Sequence, residues 1–207
     1  MAKNRKAEKP NILAVEGKDE CNFFTALIEH MHLANIQIED MGGKEKFRSE
    51  FPLLAQSEKF YDIVKNIGFV RDAEEKEATA AFQSICGILN AYKLPVPQEP
   101  NALIGQDGRK VAIFIMPNNK DSGMLEDLCI ESRKADPVWY CVEAFVKCYN
   151  PLIEKDKYNI SKAKMAAFLS TRVPIVNSLG IAAQDHVWDF DNPCFNSVKD
   201  FLTNLFG

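Results

Sequence analysis

The chain has 207 residues and a mass of 23.3 kDa, with 46% apolar and 26% charged residues. This is ordinary globular composition, which excludes a disordered, collagenous or repeat-built chain. The length predicts a single domain that needs no disulfide or metal ion to fold. A formal net charge of −4 argues against tight, autonomous binding of DNA, which usually needs a strongly basic face.

Residues 1–10 are expected to form a flexible basic arm, either a frayed terminus or a phosphate-seeking segment. Its positive charges are Lys3, Arg5, Lys6 and Lys9. The six cysteines show no CxxC pair or metal-type spacing, so they are expected to stay free. No signal peptide is recognised and no apolar run reaches the roughly 18 residues that span a bilayer, so a cytoplasmic location is expected.

The first half of the chain alternates between short apolar runs and segments with helical periodicity. In chain order, the predicted elements are a strand at 11–15, a helix at 19–32, a strand at 36–40, one or two short helices within 44–61, a strand at 67–70 and a helix at 75–93.

The second half begins with a predicted hairpin, because Asp107-Gly108 separates the apolar runs 102–105 and 110–116. Further helices are predicted near 124–133, 137–149, 161–169 and 196–206. Alternating strands and helices favour an α/β fold with a three-layer, Rossmann-like sheet, mostly parallel strands and helices on both faces. We expect one domain over 11–207, with its core at about 11–135 and a helical C-terminal extension at about 136–207.

Acidic and polar residues follow three of the predicted strands. They are Glu16 with Asp19 and Glu20, then Asp72 with Glu74, then the stretch 121–127. The carboxyl ends of parallel strands meet at one edge of a sheet, so these groups are expected to converge. Converging carboxylates repel one another unless a cation neutralises them, and oxygen ligands suit Mg²⁺ or Mn²⁺.

Each of these residues also has a purely structural interpretation. Glu16 could be a solvated loop residue, and Asp19 and Glu20 could stabilise the N-terminus of a helix. Asp121 or Ser122 could be another N-cap. The recurrence of such residues at three strand ends is what favours a metal site.

Two segments resemble motifs of TOPRIM domains. Residues 12–20, Ile-Leu-Ala-Val-Glu-Gly-Lys-Asp-Glu, are similar to the first motif, a strand that delivers a glutamate onto a glycine turn. Residues 69–74, Phe-Val-Arg-Asp-Ala-Glu, are similar to the second motif, Asp-x-Asp, with Glu74 in place of the second aspartate. The chain thus resembles small stand-alone TOPRIM-related proteins and the nuclease part of the OLD (overcoming lysogenization defect) family.

The resemblance implies metal-dependent hydrolysis of phosphodiester bonds in nucleic acid, with one or two Mg²⁺ or Mn²⁺ ions. The metal ligands that it implies are Glu16, Glu20, Asp72, Glu74, Ser122 and Glu126. It also implies a basic residue near the second metal, for which Lys162 and Lys164 are the candidates. We take Lys164 as catalytic, together with Glu16, Asp72 and Glu74.

Two other functions stay open at this point. The chain could be a non-catalytic module that works with a separate ATPase and binds DNA or RNA only weakly by itself. It could also be a phosphatase for a small substrate, although the Thr/Ser and Lys elements usual in such enzymes are missing. Gly42-Gly43-Lys44 is not a P-loop, because the upstream glycine and the trailing Ser/Thr are absent.

Overall fold

The computed structural model describes residues 5–75, 78–153 and 159–207. Within these ranges five strands form one sheet, in the order β2-β1-β3-β5-β4. The strands are β1 Asn11–Val15, β2 Ile36–Asp40, β3 Asn66–Asp72, β4 Ile104–Gln106 and β5 Arg109–Met116. Lys3 of the predicted basic arm lies outside the described residues.

The helices lie between and after these strands. They are α1 Lys18–His30, α2 Phe47–Ala55, α3 Phe60–Ile63, α4 Ala78–Ala91, α5 Leu125–Ser132, α6 Trp139–Tyr149, α7 Ile160–Ser170, α8 Leu179–Gln184 and α9 Asn196–Phe206. Within the described ranges, no helix is both long enough and apolar enough to cross a membrane.

The sheet is parallel except at one edge. Strand β1 pairs in parallel with β2 and β3, and β3 pairs in parallel with β5. Strand β4 joins antiparallel to β5 as the predicted hairpin. The carboxyl ends of β1, β3 and β5 therefore meet at one edge, and the predicted α/β sheet with helices on both faces is confirmed.

Alternate side chains of each strand enter two separate cores. Leu13 and Val15 pack with α1 and with the helices that follow β5, whereas Ile12 and Ala14 pack with α2 to α4. Because both faces of the sheet are covered, the central strands carry continuous apolar runs, 12–15 in β1, 67–70 in β3 and 111–116 in β5, instead of alternating.

Arg5 lies in a packed segment at the edge of the sheet. Its side chain forms ion pairs with Glu39 at 2.6 Å and Glu50 at 2.9 Å, and it also donates to the carbonyl oxygen of Asp40. Only 8% of Arg5 is exposed. The part of the basic arm that the structure describes therefore shields the outer edge of β2, where we expected a free end.

Two details of the helices differ from the sequence prediction. Residues 44–61 form a short 3₁₀ helix, Lys44–Lys46, followed by α2 and α3. Helix α8 was not predicted, because a six-residue helix with few large side chains carries little periodic signal. It packs closely on α1: a Cβ added at Gly180 would lie 2.6 Å from the carbonyl oxygen of Asp19.

Candidate metal centre

Glu16 and Asp72 come together at the carboxyl edge of the sheet. Glu16 directly follows β1, and Asp72 is the last residue of the neighbouring strand β3. The backbone N–H of Asp72 donates to Oε1 of Glu16 at 3.1 Å. The parallel pairing of the two strands thus brings these distant acids into direct contact.

The next helices bring two more carboxylates to the same edge. Glu20 lies in the first turn of α1 and Glu126 in the first turn of α5. Oδ1 of Asp72 accepts a hydrogen bond of 3.1 Å from the N–H of Leu125, which ties the end of β3 to the start of α5. We call Glu16, Glu20, Asp72 and Glu126 the acidic cluster.

Burial disfavours full ionisation of the acidic cluster. Desolvation raises the pKa of Glu16 to about 6, although the N–H of Asp72 and the charge of Arg71 act to lower it. Desolvation also raises the pKa of Asp72 well above its ordinary value, and the charges of Glu16, Glu20 and Glu126 add to that rise.

The pKa values of Glu20 and Glu126, the two glutamates on helices, are shifted for the same main reason. Burial raises the pKa values of Glu20 and Glu126, while the nearby positive charge of Lys162 lowers both. The Nζ of Lys162 lies 4.0 Å from Oε1 of Glu126. The mutual repulsion that was expected of converging carboxylates is therefore present in the folded chain.

Glu74 lies beside the acidic cluster but is tied to another partner. Its side chain forms an ion pair with Lys44, and its charge contributes to the raised pKa of Glu16. Its backbone has a left-handed φ of 60° and exchanges two hydrogen bonds with Gly123. The second acid of the Asp-x-Glu motif thus faces Lys44.

Besides Glu74, two more of the expected site residues are not part of the acidic cluster. Ser122 is exposed in the loop before α5, and no contact of the described residues joins it to the cluster. Lys164 lies 2.7 Å from Glu143 of α6, so its charge is directed away from the cluster. The lysine that lies near the acids is Lys162, the other candidate.

A cleft of about 530 Å³ opens beside Asp72 and Glu74. Three cations line it from three different parts of the chain: Lys44, Arg71 and Lys162. Sequence reasoning missed Arg71 and Lys44 as site residues. For Arg71 a signal was available, because it immediately precedes the strand-end acid Asp72.

The acidic cluster supplies only oxygen donors, as Mg²⁺ and Mn²⁺ prefer. Within the described residues, however, no three Asp, Glu, His or Cys side chains are arranged to hold a metal ion by themselves. Mg²⁺ usually binds one or two carboxylates and keeps several waters, so it needs no complete protein cage. The donor set therefore fits an ion that is partly held by water or substrate.

A protein-family model matches residues 10–207 of the chain, and its description reads "Protein of unknown function (DUF3226)". The chain belongs to this family. No curated protein matches the chain.

Among solved structures, the chain resembles a hypothetical protein from Pyrococcus horikoshii OT3. That comparison gives 16% identity and a TM-score of 0.60 over 97% of this chain and 95% of the other. At this identity the match shows a shared fold.

Two structures of the C-terminal region of the Xanthomonas campestris pv. campestris OLD protein are more distant. One is 13% identical over 91% of this chain and 83% of that chain, with a TM-score of 0.39. The other is 12% identical over 86% of this chain and 94% of that chain, with a TM-score of 0.41.

Proposed function

We propose that this protein is a TOPRIM-type nuclease that hydrolyses phosphodiester bonds of nucleic acid with Mg²⁺ or Mn²⁺. The observation that carries the proposal is the acidic cluster, in which four carboxylates share one desolvated site; one directly follows β1 and the others belong to α1, β3 and α5. Burial is the main cause of their raised pKa values, and the negative charges of neighbouring carboxylates add to the rise. The motif resemblance around Glu16 and Asp72 points to the same chemistry.

The acidic cluster would hold one or two ions, with Glu16 and Asp72 as the central ligands. A bound ion would activate a water molecule and stabilise the leaving oxygen of the phosphodiester. The chain's own cations suit the negatively charged substrate, because Lys44, Arg71 and Lys162 line the cleft next to the cluster.

The helix N-termini at the site favour the same assignment. Helices α1, α5 and α7 begin beside the cluster, and Asp127 of α5 accepts a hydrogen bond from Ser161 in the first turn of α7. The N-terminus of a helix carries a partial positive charge that favours bound anions. The site therefore offers anion-stabilising groups around a cation-binding centre.

The proposal is tested by nicking of supercoiled plasmid with purified protein. Wild type is expected to nick plasmid in Mg²⁺ or Mn²⁺ but not in EDTA, and Asp72→Asn is expected to be inactive. Asp62→Asn is the matched control, because Asp62 is an exposed aspartate on α3, outside the lining of the cleft. Nicking that survives in Asp72→Asn would refute the proposal.

A second candidate is a non-catalytic module that works with a separate ATPase. It is favoured by the lack, within the described ranges, of three ligands arranged for a metal ion. This alternative predicts that the isolated protein leaves plasmid intact in Mg²⁺ and in Mn²⁺. The same plasmid assay therefore separates the two candidates.

A further inference from the structure

The guanidinium of Arg71 has unused hydrogen-bonding capacity at the cleft. Its Nε and Nη1 atoms are buried and donate no hydrogen bond to any described residue. Leaving such donors unpaired in a protein interior costs free energy, and the cost is larger for charged groups. These unpaired donors indicate that Arg71 has a binding partner other than the described residues.

Glu16 neutralises part of the charge of Arg71 but does not accept a hydrogen bond from it. Nε of Arg71 lies 3.5 Å from Oε1 of Glu16, as a loose ion pair without hydrogen-bond geometry. The same Oε1 instead accepts the N–H of Asp72 at 3.1 Å. Arg71 therefore keeps unpaired donors while its charge stays next to the acidic cluster.

A phosphate is the partner that best fits this arrangement. Arginine presents a rigid fork of donors that matches the oxygens of a phosphate in a bidentate manner. Arg71 lines the cleft together with Lys44 and Lys162, so an anion there lies near three positively charged side chains. Four acids also line it, Glu45, Asp72, Glu74 and Glu75, so an anion enters more readily once a cation is bound.

We propose that Arg71 binds the phosphate group of the substrate strand, independently of the adjoining base. This inference rests on the proposed nuclease function and adds the residue that binds a phosphate group of the substrate. Base independence follows from the chemistry of this contact, because a phosphate group is the same whichever base adjoins it.

The test measures inorganic phosphate near protein-bound Mn²⁺, through the paramagnetic broadening of its ³¹P resonance. Wild type is expected to show saturable broadening. Arg71→Gln should need roughly 10- to 100-fold more phosphate, the usual effect of losing hydrogen bonds to a charged group. Arg71→Lys keeps the charge but loses the fork, so it should bind phosphate more weakly than wild type. Arg48→Gln is the control, because Arg48 is exposed on α2 and does not line the cleft.

Base independence is tested by competition in the same assay. Short oligothymidylate and oligoadenylate are expected to displace phosphate from wild type with equal midpoints. A clear preference for one oligonucleotide would overturn the base-independent part of the proposal. Equal phosphate affinity in wild type, Arg71→Lys and Arg71→Gln would overturn the role of Arg71.

Mn²⁺ binding, measured separately by thermal melting, distinguishes the two proposals. Arg71→Lys is expected to keep the Mn²⁺-induced rise in melting temperature, because it keeps both the positive charge and the acidic cluster. If wild type shows no such rise, the proposed function fails. If wild type responds to Mn²⁺ and all Arg71 variants bind phosphate as wild type does, only the inference about Arg71 fails.

Discussion

The backbone N–H of Asp72, the last residue of β3, donates to the carboxylate of Glu16, which directly follows β1. This single contact fixes the geometry of the candidate site, because β1 and β3 are adjacent and parallel. It also places two buried acids side by side, so their charges oppose each other's ionisation. Stability and function are therefore expected to respond in opposite directions when either acid is neutralised.

Replacing Asp72 by asparagine is expected to stabilise the metal-free protein while abolishing nicking. The amide oxygen can still accept from the N–H of Leu125, but the buried charge and its repulsion are gone. We expect the free energy of unfolding in EDTA to rise, because the cost of burying this charge is removed. Urea unfolding measures this, and a less stable Asp72→Asn would contradict the expected repulsion. Asp62→Asn should leave both stability and nicking near wild type.

The metal-free protein should lose stability as the pH rises from 4.5 to about 6. The folded state raises the pKa of Glu16 from 4.5 to about 6, so it binds more protons than the unfolded state in this range. Unfolding is then favoured as the pH increases, and the whole loss from Glu16 is about 2 kcal/mol between pH values well below 4.5 and well above 6. Urea unfolding in EDTA across this range should show a smaller decrease for Glu16→Gln than for wild type. If the two proteins show identical changes of stability with pH, the carboxyl group of Glu16 is not the cause.

Mn²⁺ or Mg²⁺ should stabilise the folded protein, and EDTA should reverse the effect. An ion present at 100 times its Kd adds about 2.7 kcal/mol to the free energy of unfolding. Thermal melts of wild type and Glu126→Gln with increasing Mn²⁺ measure this, and the variant should require more metal. A wild-type melting temperature that does not change with either ion would contradict both the metal site and the nuclease proposal.

Lys162 and Lys164 should differ in their effect on nicking. Lys162→Gln is expected to reduce nicking several-fold, because it removes the positive charge next to Glu20 and Glu126. Lys164→Gln breaks an ion pair with Glu143 and should not change nicking. It should change the free energy of unfolding by no more than about 1 kcal/mol. Plasmid nicking at matched protein concentrations compares the two, and a greater loss in Lys164→Gln would show that the lysines are wrongly assigned.

Gly68 of β3 lets α9 approach the sheet closely. A Cβ at this position would lie 2.9 Å from Leu13 and 3.0 Å from Leu205, so Gly68→Ala should destabilise the protein by about 1–3 kcal/mol. Gly87 of α4 has open space around it, so Gly87→Ala should be neutral or stabilising by up to about 1 kcal/mol. Urea unfolding of both variants tests the close packing, which equal stabilities would contradict.

The sequence by itself determined the strands, the main helices and the acids at the strand ends. The apolar run before Glu16 and the one before Asp72 predict buried strands, and buried neighbouring strands in an α/β chain are mostly parallel. Convergence of the two acids at one edge follows from that geometry. These features could be read locally, because hydrophobic periodicity reports the conformation of each segment.

Only the tertiary structure decided which side chains accompany the acids. Lys162 and Lys164 are two residues apart on α7, so they point to nearly opposite sides of the helix, and packing against α5 and α6 selects Lys162 for the site. Arg71 becomes a site residue through the cleft beside β3, and Glu74 turns to Lys44 through its left-handed backbone. The positions of these side chains depend on contacts between distant segments, which the periodicity of a single segment does not predict.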